Sequence, residues 1–106
     1  MRVLILGSGG REHAIGLKIS GSSLLDAAFF GPGNAGTASL GTNVPLDPMD
    51  FAAVAEFVLA ERIDMVVVGP EAPLVAGIAG HFAADDRLGH VAVIGPKKAG
   101  AALEGS

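Results

Sequence analysis

Cysteine, tryptophan and tyrosine are absent from this 106-residue sequence, and charged residues make up only 17% of it. Without cysteine there is no disulfide, no thiolate nucleophile and no Cys-based metal site. Without Trp or Tyr few side chains remain on which nucleic-acid bases stack. Seven Lys and Arg stand against eleven Asp and Glu, a net charge of −4, so the basic footprint of a nucleic-acid binder is missing. No apolar run is long enough to span a bilayer. Met1-Arg2 is followed by only four apolar residues before Gly7, too few for a secretory signal. The expectation is a soluble, cytoplasmic protein with no nucleic-acid partner and no membrane partner.

Hydrophobic residues and glycine are abundant instead: half of the chain is hydrophobic and sixteen residues are glycine. That length and composition suit one globular domain with a buried core. The glycines are not periodic. They cluster at the ends of apolar runs, where they allow tight turns and close approach of backbone to a ligand.

Val3–Leu6 is a continuous apolar run stopped by glycine, the pattern of a strand buried on both faces. Arg11–Ser20 reads as a helix, and Leu25–Phe30 as a second strand that the turn formers Gly31-Pro32-Gly33-Asn34 should end. A short strand is expected near Asn43–Pro45. A helix over Phe51–Arg62 places Phe51, Val54, Ala55, Val58 and Leu59 on one face, with Asp47 or Asp50 as its cap. Asp64–Val68 is a third clear strand. Leu74–Ala84 reads as one helix with Pro73 in its first turn, Val91–Ile94 as a further strand, and Lys97–Glu104 as a last helix. Strand and helix alternate, so the predicted fold class is α/β, with a mainly parallel sheet between two layers of helices.

In such sheets ligands bind beyond the carboxyl ends of the strands. Four turns fall there: Gly7–Gly10, Gly31–Asn34, Gly69–Glu71 and Gly95-Pro96. The first begins like the dinucleotide fingerprint G-x-G-x-x-G, but Glu12 stands where the third glycine belongs. The second strand also ends in Phe29-Phe30-Gly31 rather than in the acid that holds a ribose hydroxyl. A Walker-type phosphate loop is absent altogether. Arg11, Glu12 and His13 form the densest polar triplet. Arg11 suits pairing with a phosphate and His13 suits donating to it; equally, Glu12 suits complementing the helix dipole with its two neighbours solvated. Asn34 fits either finishing a turn or facing sugar hydroxyls, and Glu71 fits either binding hydroxyls or an amine, or a plain loop charge. His81 and His90 lack a second ligand at metal spacing and read as surface or helix-end residues. No complete catalytic constellation is visible.

Taken as strings, these turns resemble one family. VLILGSGGREHAI at the N-terminus, GPGNAGTA at Gly31–Ala38, IDMVVVGPEAPLVAGIA at Ile63–Ala79 and IGPKKAGAALEGS at Ile94–Ser106 are similar, in order, to the start of glycinamide ribonucleotide synthetases (phosphoribosylamine–glycine ligases). The resemblance covers essentially the whole chain. It implies a Rossmann-like, pre-ATP-grasp domain over residues 1–106 of an ATP-dependent ligase of purine biosynthesis. This piece would help hold 5-phosphoribosylamine at Gly9, Gly10, Arg11, Glu12, Pro32, Gly33, Asn34, Gly69, Pro70 and Glu71. In that family the LEGS string leads into ATP-grasp and C-terminal domains, which carry ATP, Mg2+ and glycine. Those domains are missing from the sequence, so no catalytic residue, metal ligand or bound cofactor is expected here, and no ligase activity from the chain alone. An oxidoreductase-type dinucleotide domain and a non-enzymatic interaction domain are the competing readings.

Overall fold

In the computed structural model, which describes residues 1–104, five strands form one sheet in the order β3-β2-β1-β4-β5, all pairs parallel. The chain runs β1 (Arg2–Gly7), α1 (Gly10–Ile19), β2 (Ala27–Pro32), β3 (Thr42–Asn43), α2 (Phe51–Ala60), β4 (Met65–Val68), α3 (Glu71–Ala76), α4 (Ile78–Ala83), β5 (Ala92–Ile94) and α5 (Pro96–Glu104). Gly105 and Ser106, the end of the LEGS string, lie outside the described residues.

Side chains alternate across a strand, and the apolar runs of β1 and β4 are buried on both faces. Leu4, Leu6, Val66 and Val68 pack against Val54, Ala55 and Val58 of α2 and Ile78 and Phe82 of α4. Val3, Ile5, Met65 and Val67 pack on the other face against Ile15 and Ile19 of α1 and Ala99 and Leu103 of α5, with Phe30 of β2. The result is three layers with two separate apolar cores, and the α/β expectation holds.

Three local expectations are corrected. β2 does not stop at Phe30. It continues through Gly31 and Pro32, which register with Leu6 and Gly7. Proline has no N–H for a ladder, but here it is the last residue of the strand, and the Gly33 N–H donates to the Gly7 carbonyl at 3.0 Å instead. β3 sits at Thr42–Asn43, just ahead of the expected position. The single helix expected over Leu74–Ala84 is two helices. Gly77, at φ +99°, breaks it in a left-handed turn and donates to the carbonyls of Pro73 and Leu74. The first of the two begins earlier than expected because Pro73 falls in the first turn of α3, where helix N–H groups have no partner to lose.

Of the two candidate caps for α2, Asp50 is the one used: its carboxylate accepts from the Ala53 N–H at 3.1 Å. Asp50→Ala is expected to cost about 1 kcal/mol, measured by urea unfolding, and an unchanged midpoint would contradict the capping role.

The amino ends of the strands form a rim of charges. The Met1 ammonium pairs with Asp26, Arg2 pairs with Glu61 at 3.0 Å, and the Arg2 N–H donates to Asp64 at 2.7 Å. The carboxyl ends form the opposite rim, which carries the glycine-rich turns.

Candidate functional site at the switch point of the sheet

After β1 the chain proceeds outward to β2 and β3, and then returns to the other side of β1 for β4 and β5. The order reverses between β1 and β4, and the loops leaving these two strands diverge to open a crevice. That crevice has a volume of about 590 Å3 and is walled by Gly7–Glu12, Pro32, Pro48 and Gly69–Glu71. A second cleft, of about 610 Å3, continues from it toward β5. Arg11, Gly69 and Glu71 line both.

Glu12 decides the shape of the crevice. Although it opens a helix, it is only 5% exposed, and its Oε2 accepts from the Gly9 N–H at 3.1 Å. This is the carboxylate half of a capping box, closed onto its own N-cap. The side chain fills the space between the ends of β1 and β4 so closely that a Cβ on either Gly7 or Gly69 would overlap the carboxylate. Gly7 also sits at φ +124°. Glu12 thus favours glycine at both positions, and the backbone of Gly7 demands it independently. Arg11 ties the loops together from outside, donating from Nη1 to the Gly69 carbonyl at 3.0 Å.

The β2 turn acts as a buttress. Asn34 Nδ2 donates to the Ser8 carbonyl at 2.9 Å, and its Oδ1 accepts from the Thr37 N–H at 3.0 Å. Thr37 is fully buried and its hydroxyl bonds Asn43 at 2.7 Å. Both ends of the Asn34 amide are therefore engaged with protein. His13 packs beside Gly36 and lines neither cleft.

The chain matches the family model "Phosphoribosylglycinamide synthetase, N domain" over residues 1–104. It belongs to that family. Phosphoribosylamine–glycine ligases of Agrobacterium fabrum and Mesorhizobium japonicum are 54% and 53% identical to it, each over the whole chain and 24% of the relative. The crystal structure of the Thermotoga maritima phosphoribosylamine–glycine ligase superposes with a TM-score of 0.52 at 34% identity, covering 86% of this chain and 19% of that one. The chain therefore spans about a quarter of the length of the curated relatives it matches.

Within this synthetase N domain, eight of the ten residues singled out by motif line the crevice: Gly9, Gly10, Arg11, Glu12, Pro32, Gly69, Pro70 and Glu71. Gly33 and Asn34 stand behind it. Gly33 adopts φ +75° and Asn34 braces the first turn. Sequence reasoning passed over Lys97 and Lys98, which line the second cleft. The signal was there, since they follow directly on Gly95-Pro96, the fourth turn at this rim. Exposed His81 and His90 lie away from both clefts. No helix among the described residues is long and apolar enough to cross a membrane.

Proposed function

We propose that this chain is the N-terminal domain of a cytoplasmic ligase that joins glycine to 5-phosphoribosylamine, and that its switch-point crevice helps hold the phosphoribosylamine. The observation that carries the reading is the convergence of the motif residues on one crevice at the point where strand order reverses. In the implied reaction ATP phosphorylates the glycine carboxylate and releases ADP. The amine nitrogen then attacks the acyl carbon, the amide forms with loss of a proton, and phosphate leaves. Splitting the condensation into two steps makes each easier.

The role of this domain is binding and orientation. Arg11 keeps guanidinium N–H groups beyond the one given to Gly69, and these can engage an anion. The exposed Glu71 carboxylate can accept from sugar hydroxyls or from the amine. Among the described residues no three His, Cys, Asp or Glu side chains gather as a metal site. ATP and Mg2+ belong, in this reading, to the remainder of the ligase.

Against dinucleotide binding stands Glu12. It stands where the fingerprint has the glycine that allows close helix–strand packing, and its carboxylate accepts from the N-cap amide of the helix, the end at which a pyrophosphate would bind.

Two measurements test the proposal. Amide chemical shifts of the chain titrated with ribose 5-phosphate should change saturably at Gly7–Glu12 and Gly69–Glu71; changes confined to other rims would refute the site. In a coupled assay the purified chain should release no ADP in response to glycine, and glycine-dependent release would refute the assignment as a non-catalysing domain.

A further inference from the structure

Building on the phosphoribosylamine reading, the structure assigns the two ends of the ligand to different clefts. We propose that the phosphate sits in the cleft between β4 and β5, held by Arg11, Lys97 and Lys98, while the sugar and its amine lie in the glycine-rich crevice beside Glu71.

Charge distribution carries the argument. The chain is acidic overall and has only seven Lys and Arg, yet three of them line this one cleft, against the single carboxylate of Glu71. Lys97 and Lys98 are exposed and have no ion-pair or hydrogen-bond partner among the described residues. Elsewhere Arg2 is paired with Glu61 and Arg87 with Asp85. Grouping three positive charges against one carboxylate costs free energy through mutual repulsion, and a bound dianion relieves that cost.

The glycine-rich crevice has the opposite character. The N-cap amide of α1 already donates to the Glu12 carboxylate, and Glu71 adds a second negative group to the same walls, where Arg11 is the one lining cation. A phosphate monoester, carrying close to two negative charges at neutral pH, is repelled there; hydroxyls and a protonatable amine are accepted. The clefts meet at Arg11, Gly69 and Glu71, so one sugar phosphate spans both. Arg11 provides a planar fork on one side of the phosphate and the two lysines provide point charges on the other.

The test compares ribose 5-phosphate, ribose and inorganic phosphate as ligands of the wild-type chain and of the Lys97→Gln/Lys98→Gln variant, by calorimetric or NMR titration. Melting temperatures confirm that both proteins are folded, and substitution at exposed, unpaired lysines is expected to leave them close together. The expected result is saturable ribose 5-phosphate binding that weakens about tenfold or more in the variant, the order of a lost charge-assisted contact, and that Lys97→Arg/Lys98→Arg retains. Added salt should weaken binding to the wild type more than to the glutamine variant. Equal affinity of wild type and glutamine variant would overturn the phosphate assignment while leaving the crevice reading in place. No saturable binding to the wild type would overturn both. Inorganic phosphate binding as tightly as ribose 5-phosphate would overturn the claim that the two clefts act as one sugar-phosphate site.

Discussion

Replacing Gly69 by alanine is expected to destabilise the domain by about 2 kcal/mol, within the range of about 1–3 kcal/mol typical of overpacking. The new methyl group would overlap the Glu12 carboxylate. Glu12 cannot simply swing away, because it is buried and holds the Gly9 N–H. The same logic makes the cost removable. Glu12→Ala alone should cost about 1 kcal/mol for the lost hydrogen bond to Gly9. Combined with Gly69→Ala it should fall short of additivity by roughly 1 kcal/mol, a coupling typical of residues in contact. Urea unfolding of the four proteins measures the cycle, and strict additivity would mean that Glu12 is not the wedge. Gly7→Ala provides the contrast. At φ +124° the backbone strain of a non-glycine residue remains whatever stands at position 12, so removal of Glu12 should rescue Gly7→Ala only in part.

Phe30→Ala is expected to have the largest effect on stability, about 3–5 kcal/mol. The ring is fully buried and wedged between backbones on two sides. A Cβ on Gly16 of α1 would lie 2.8 Å from its Cζ, and one on Gly41 would lie 3.1 Å from its Cε2. Gly16 thus admits the ring, while a Cβ on Gly41 would also meet the Ala28 carbonyl. Since domains of this size are stable by about 5–15 kcal/mol in total, Phe30→Ala should lower the melting temperature steeply or prevent folding. Phe30→Leu, which keeps more of the apolar volume, should cost less than Phe30→Ala. A Phe30→Ala protein that melts within two or so degrees of the wild type, against a shift of about 4–8 °C expected per kcal/mol, would show that α1 collapses onto β2 and fills the space.

The layers of the fold were legible because β1 and β4 are covered on both faces and therefore read as unbroken apolar runs. What was illegible depended on neighbours distant in sequence. Gly31-Pro32 reads as a strand stop, yet it closes the ladder because Gly33 donates in place of the proline. Gly77 lies inside an apolar helical pattern, and only its backbone angle shows the break. The site was legible as a set of turns but not as a division of labour. Glu12 looks like an acid complementing a helix dipole, and nothing local reveals that Gly7 and Gly69 enclose it. Asn34 looks like a ligand group, but Ser8 and Thr37 occupy its amide. Lys97 and Lys98 look like a solvated helix start until the sheet order places β5 beside β4.

The paired charges at the amino ends of the strands acquire a further meaning from this division. Arg2, Glu61 and Asp64 stand at the opposite end of β1 and β4 from the crevice. Along β1 the two rims are separated by roughly 17 Å, at about 3.3 Å per residue. Substitutions among these charges therefore stand clear of the crevice, whereas substitutions at Glu12 and Gly69 change stability and crevice shape together.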